Sequence, residues 1–327
     1  MLEAEREFAL RVVRTACRVC RVVQAGLETS DTAAKEDRSP VTVADYAVQA
    51  LVSHGLGLDF PGDALLAEES AAGLAAAGGP PLVRRLADVL RPFLPGLAEP
   101  EIPALIDRGR SGNGGRQWVL DPVDGTKGFL RGGQYAVALA LLVHGEPVLG
   151  VLGCPNFPVP EGLPGDMPQT GCLFAAVRGQ GASVLSLEGS HETPVRVSDR
   201  SDLHRAVLCE SFEPSHMDGE RTGRIAHRLG LAAPPLRMDS QCKYAAVAGG
   251  QADIYLRIPP RDGFRENAWD HAAGWVVITE AGGTVTDLRG EPLDFSRGPT
   301  LDANFGILAT NGRLHASLLS VLMESRR

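Results

Sequence analysis

Apolar residues recur every three to four positions over residues 3–27. That is the spacing of one helix face, and it predicts an amphipathic helix that stops near Gly26. "TSDTAAKEDRSP" is polar and predicts a connector. "TVADYAVQALVSHGLG" predicts a second helix, with Thr42 and Asp45 in the T-x-x-D spacing of a capping box at its start. A short strand is expected over Ala64–Ala67, ending in Glu68 and Glu69. Ala71–Pro81 is rich in Ala, Gly and Pro and is expected to be a loop, with a helix over residues 82–94. The glycine-rich run at 107–116 predicts a hairpin tip or insertion, and its role is left open.

Past that run the pattern turns β-like. "RQWVL" is apolar and β-prone, and the long apolar stretches Gln134–His144 and Pro147–Gly153 predict neighbouring buried strands joined by "HGEP". The Pro-rich "NFPVPEGLPGDMPQTG" predicts a loop, and "CLFAAVRGQGASVLSL" a hairpin turning at Gly179 and Gly181. Beyond about residue 200 strands alternate with helices. "RAVLCES", "PLRMDS", "ADIYLRIP" and "TVTDL" read as strands. "HMDGERTGRIAHRLG", "CKYAAVAGG" and "AWDHAAGWVVITEAGG" read as helices. That alternation is the mark of an α/β unit. A boundary near 195–201 divides the chain into an α+β unit, 1–198, and an α/β unit, 199–327. No fixed-period repeat is present, which argues against a solenoid.

Composition narrows the partners. The 327 residues carry a formal net charge of -8, which disfavours general binding to nucleic-acid phosphates. No apolar run is long enough for a membrane span, and the acidic start (Glu3, Glu5, Glu7) is unlike a signal peptide. Six scattered cysteines are too few for a disulfide scaffold, so a cytoplasmic location is expected. Cys17 and Cys20 form a C-x-x-C, but inside a helical pattern without the strand and turn a redox pair needs.

The candidate chemistry lies in acids at element ends. Asp121 and Asp124 follow a predicted strand in "DPVDGTKGF", Glu68 ends another, and Asp270 opens a predicted helix beside Trp269. A hard cation such as Mg²⁺ takes carboxylate and carbonyl oxygens. Pro122 restricts the backbone so that both aspartates and the Val123 carbonyl can face one point, and Thr126 adds a hydroxyl nearby. Each residue also has an ordinary reading. Asp-Pro and Asp-Gly are turn pairs, a glutamate pair is a solvated loop, Asp270 is a helix cap, and Asp45 is the reciprocal partner of Thr42. Spacing alone does not name a reaction.

The segments "SPVTVADYAVQ", "LLAEES", "WVLDPVDGTKGFLRGGQYAVALALL", "MDSQCKY" and "WDHAAG" together resemble the inositol monophosphatase superfamily. The extension Lys127-Gly128-Phe129-Leu130-Arg131-Gly132 is similar to its 3'(2'),5'-bisphosphate nucleotidase branch. The chain departs from that branch at Gly133, at Met217 and Asp218, and in "RENAWD". The resemblance implies a layered αβαβα sandwich of the inositol monophosphatase/fructose-1,6-bisphosphatase type. It implies Glu68, Asp121, the Val123 carbonyl, Asp124 and Asp270 as ligands of two or three Mg²⁺ ions. Asp45 and Thr126 become the pair that orients and activates a water. Substrate contacts fall to His216, Ser240, Lys243 and Arg257, with Thr126 and Asp270. The implied activity is removal of the 3'-phosphate from 3'-phosphoadenosine 5'-phosphate, a small phosphate ester. An inositol (poly)phosphate phosphatase, or a non-catalytic nucleotide or metal sensor on the same fold, are the alternatives. A calcium-binding structural protein lacks an EF-hand pattern.

Overall fold

The computed structural model of the chain describes residues 2–26, 32–34, 40–109, 115–159, 170–189, 191–212, 219–261 and 263–324. In the first part of the chain the elements are α1 (Glu3–Ala25), β1 (Thr32–Ala34), β2 (Pro40–Thr42), α2 (Val43–Asp59), β3 (Ala64–Ala67), α3 (Ala71–Ala77), α4 (Gly79–Leu90), α5 (Ile102–Asp107), β4 (Arg116–Asp124) and α6 (Thr126–Leu130). There follow β5 (Ala136–Val143), β6 (Glu146–Pro158), β7 (Thr170–Val177), β8 (Ala182–Ser186) and β9 (Glu192–Val195). The rest of the chain forms β10 (Leu208–Glu210), α7 (Gly219–Arg228), β11 (Leu236–Arg237), α8 (Cys242–Ala248), β12 (Ile254–Arg257), α9 (Ala272–Glu280), β13 (Thr284–Thr286), β14 (Ile307–Thr310) and α10 (His315–Glu324).

Two sheets organise these elements. The larger runs β3-β4-β5-β6-β7-β8-β9, with β3 and β4 parallel and every other pair antiparallel. The smaller runs β11-β10-β12-β14-β13 and mixes both senses. Strand alternation assigns each face. Val137, Leu139 and Leu141 join one core with Phe8, Val13 and Val48 of α1 and α2. Ala136, Ala138 and Ala140 join a second core with α8 and α9 (Tyr244, Val247, Val276). Those two helices also pack on Cys209, Tyr255 and Ala309 of the smaller sheet. Its other face, with Leu208, Ile254 and Leu308, packs on Ile225 of α7 and Leu318 of α10. The layers are therefore helix, sheet, helix, sheet, helix, as expected for an α/β sandwich.

Alanine and glycine on the inner face of the large sheet let α9 come close. A Cβ on Gly150 would lie 2.5 Å from the Ala273 carbonyl oxygen, a backbone atom that cannot rotate away. Gly150→Ala is therefore expected to destabilise the protein by about 2–3 kcal/mol. Urea unfolding checks this; an unchanged midpoint would mean the layers have slack there.

Several local expectations are corrected. Ala71–Pro81 is not a loop: α3 begins at the Ser70 cap, whose hydroxyl accepts from the Gly73 N–H at 3.1 Å. Alanine is the strongest helix former, so a run of alanines outweighs the single Gly73. α4 starts at Gly79, with prolines tolerated in its first turn, where their missing N–H has no partner to lose. The polar connector contains β1, paired with β2. Of the Pro-rich segment, Asn156–Pro158 continues β6 and Thr170 begins β7, while 160–169 lie outside the described residues. α7 begins at Gly219 rather than 216. The predicted helix from residue 268 begins at Ala272, so Asp270 lies in the turn before it and does not cap it.

The cysteines are free and buried, including the C-x-x-C pair on the core face of α1. Burial pushes the Cys17 thiol up to about 12, which suits an inert core residue.

Candidate active site

The site is assembled where strands of the large sheet end. β3 and β4 run parallel, with Ala67 opposite Leu120, so Glu68, just past the end of β3, comes abreast of Asp121 in β4. Gln49 of α2 anchors the Glu68 segment. Its side-chain amide donates to the Glu69 carbonyl at 2.8 Å and accepts from the Glu69 N–H at 2.9 Å. Sequence reading missed Gln49. The available signal was a polar residue one helical turn past Asp45 in an apolar stretch.

The DPVD segment depends on a register irregularity. Residues three apart on a regular strand point to opposite faces. Here Asp121 pairs with Ala138 and Asp124 with Ala136, so three steps on β4 match two on β5. The bulge brings both aspartates to the face shared by Ala136 and Ala138. Gly125 follows with φ of 85°, and a Cβ there would meet the Ser240 Cβ at 2.9 Å. Glycine thus serves both the left-handed turn and the close approach of the opposite wall. The Thr126 hydroxyl then donates back to the Val123 carbonyl at 3.2 Å.

Asp45 is fully buried, and the capping box is present. Its Oδ2 accepts from the Thr42 N–H at 2.8 Å and the Thr42 hydroxyl at 2.7 Å. The ordinary reading of Asp45 is therefore realised, and it does not compete with a role in the site. Asp45 is close enough to act electrostatically on Asp121. Glu68, Asp124 and Asp270 do the same, so the acids from four separate segments converge on Asp121, which is 2% exposed. Burial first, then these negative neighbours, push the Asp121 carboxyl well above its ordinary value. Asp124 is pushed up to about 7 by desolvation and then Asp270, against the opposing pull of Lys243, the Gln241 N–H and Arg257.

The opposite wall comes from the second sheet and its helices. The Gln241 N–H donates to Asp124 Oδ2 at 2.6 Å. The Gln241 side chain donates to the Trp269 carbonyl at 2.9 Å and accepts from the Gly274 N–H at 3.1 Å. Gln241 thereby ties the Asp124 turn to the Asp270 turn, a role not foreseen from sequence. Ser240 has φ of 64°, which faces its backbone toward Gly125. Lys243 is buried, with its Nζ 3.4 Å from the Met238 carbonyl and 5.3 Å from the centre of the Tyr255 ring. Arg257 pairs with Glu266 at 2.7 Å and lies 3.7 Å from Asp270. Asp124, Lys127, Asp239, Lys243, Arg257 and Asp270 all line one cleft. His216 falls outside the described residues.

The donor set fits a hard divalent cation. It consists of clustered carboxylates and a carbonyl, and their mutual repulsion is the cost that a bound cation offsets. Among the described residues, the one set of three or more whose ligand-type atoms lie within 4.8 Å of one another is Glu266, Asp270 and His271, which shares only Asp270 with the five proposed donors. Arg257 already neutralises Glu266, and with His271 it outweighs burial and holds that carboxyl down to about 2. That trio is an ion-paired support for Asp270 and Arg257.

The inositol monophosphatase family model matches residues 1–327. A 3'(2'),5'-bisphosphate nucleotidase from Oryza sativa is 44% identical over 98% of this chain and 94% of its own. One from Dictyostelium discoideum is 40% identical over 98% and 96%. Among solved structures, the extragenic suppressor protein from Bartonella henselae superposes with a TM-score of 0.68 at 22% identity, covering 98% of each chain. The Thermotoga maritima IMPase does so with a TM-score of 0.67 at 21% identity, over 97% of this chain and 96% of that one. With sandwich, converging acids and full-length likeness in agreement, the chain belongs to the inositol monophosphatase family.

Proposed function

We propose that the chain removes the 3'-phosphate of 3'-phosphoadenosine 5'-phosphate, giving AMP and phosphate. It is a phosphatase, with full-length relatives named as bisphosphate nucleotidases. The observation that carries the substrate reading is that acids and cations line a single cleft, Asp124 and Asp270 together with Lys243 and Arg257. One phosphate of a bisphosphate belongs with the acids and their cations. The other belongs with Lys243 and Arg257, which supply charge-assisted hydrogen bonds.

The 1–198 unit contributes Glu68, Asp121, the Val123 carbonyl and Asp124; the 199–327 unit contributes Asp270, with Lys243 and Arg257. Those five donors would hold two or three Mg²⁺ ions, which when bound would supply Lewis-acid stabilisation of phosphate charge and lower the pKa of a water. Asp45 and Thr126 aim that water at phosphorus and take up its proton. The phosphorus–oxygen bond to the 3'-oxygen breaks as the new one forms, and the leaving oxygen is protonated. Ser240, Thr126 and, in the segment outside the described residues, His216 complete the contacts with the nucleotide. Metabolically this clears a by-product of sulfate activation and sulfonation. No helix among the described residues is long and apolar enough to cross a membrane, and the six cysteines are free thiols. Both accord with work in the cytoplasm.

Phosphate release from 3'-phosphoadenosine 5'-phosphate, inositol 1-phosphate and inositol 1,4-bisphosphate, each with and without Mg²⁺, tests the assignment. The nucleotide is expected to give the highest kcat/KM, by about 100-fold or more, since a site built for a second phosphate and a base loses both contacts with inositol 1-phosphate. Equal or faster hydrolysis of either inositol ester would replace the nucleotidase reading with an inositol phosphatase.

A further inference from the structure

Asp239 has no part in the chemistry above, yet it is nearly buried and lines the cleft. Its carboxylate is ion-paired with Arg131, which follows α6. Its Oδ1 also accepts from the Ser211 hydroxyl at 3.1 Å and the Phe212 N–H at 3.3 Å. These bonds tie the turn after α6 to the segment after β10 through Asp239. The Arg131 guanidinium carbon stands 5.8 Å from the centre of the Phe212 ring, within cation–π range. Phe212 is 49% exposed, on the segment that donates to Asp239 of the cleft.

We propose that Phe212, backed by Arg131 and positioned by Asp239, is the shelf on which the nucleobase of the substrate stacks, and that it sets the preference for nucleotides over sugar or inositol phosphates. This deepens the nucleotidase reading and rests on it. The deep part of the cleft is charged and suits phosphates. The Asp239 edge presents a planar guanidinium and an aromatic ring, which suit a π-face. An inositol ring has no such face, so the shelf discriminates by chemistry and not by size.

The test uses Phe212→Ala and Phe212→Trp in the full chain. Binding of AMP and of ribose 5-phosphate is measured by calorimetry, and turnover is measured with 3'-phosphoadenosine 5'-phosphate and with inositol 1,4-bisphosphate. Phe212→Ala is expected to weaken AMP about tenfold, which is about 1.4 kcal/mol. Its KM for the nucleotide rises by a similar factor while kcat stays within about twofold. Ribose 5-phosphate binding and inositol 1,4-bisphosphate kinetics stay within about twofold. Phe212→Trp retains nucleotide affinity. If Phe212→Ala leaves AMP binding unchanged, or weakens AMP and ribose 5-phosphate alike, the shelf is wrong while the nucleotidase reading stands. If the wild type itself shows no preference for AMP over ribose 5-phosphate, no base is bound, and both readings fall.

Discussion

Asp45→Asn is expected to lower kcat about 10³-fold while leaving AMP affinity within about twofold. Asn keeps the size of Asp45 and one acceptor oxygen, so the bond from the Thr42 N–H at the start of α2 can persist. What it loses is the ability to take a proton. Asp45 sits in a fully buried position within electrostatic reach of Asp121, close to the convergent acids yet carried by a different element. In the proposed mechanism a group there contributes to the step in which water loses its proton and little to ground-state binding. The split between kcat and affinity is therefore the informative readout. A parallel loss of AMP binding and of thermal stability would reassign Asp45 to a purely structural role. Unchanged turnover would remove it from the mechanism, and absence of turnover in the wild type would favour the non-catalytic sensor.

The second large effect is paradoxical in sign. Asp121→Asn should abolish measurable activity yet make the metal-free protein more stable. The sign follows from linkage. The folded-state carboxyl is held well above its ordinary value of 3.8 by burial and by Glu68, Asp124, Asp270 and Asp45. A raised carboxyl pKa means that the folded state holds its proton longer than the unfolded one. Stability is then greatest below the unfolded value and declines as pH rises toward the folded one. At pH 7.5 the wild type bears this cost and the asparagine variant does not. With EDTA present, Asp121→Asn should melt about 1–3 °C higher, corresponding to about 1–2 kcal/mol. Saturating Mg²⁺ should reverse the order, since binding at 100 times Kd adds about 2.7 kcal/mol to a protein that holds the ion and little to one that does not. If Mg²⁺ raises both proteins equally, or the metal-free variant melts lower, the acids are not a cation clamp.

Much of the frame was legible because burial imprints a period on the chain. The alternating stretch in β5 and the three-to-four spacing in α1 each state which side faces a core, and the folded protein keeps both. Where two local tendencies compete, the reading failed. Ala71–Ala77 could be helix or loop, and the Ser70 cap, which needs the helix to exist, settled it. Asp270 looked like a helix opener by its place in the chain, but the helix starts two residues later. The supporting residues Gln49, Asp239, Gln241 and Glu266 were missed for one reason. Gln49, Asp239 and Gln241 act by bonding to segments far away in sequence, and Glu266 by ion-pairing with Arg257 and His271, and no spacing rule names those partners.

By itself the sequence determined the main helices and buried strands of each half, the acids and cations available, and the α/β class, because these follow from local periodicity and residue chemistry. Only the tertiary structure decided that Asp121 and Asp124 share one face, through a bulge that overrides the two-residue strand repeat. It alone placed Glu68 beside Asp121, through the parallel pairing of β3 and β4, and laid the Gln241 segment against Asp124. Those juxtapositions are set by register and by the packing of one sheet's helices on the other. These long-range contacts depend on the whole chain at once, and no local segment encodes them.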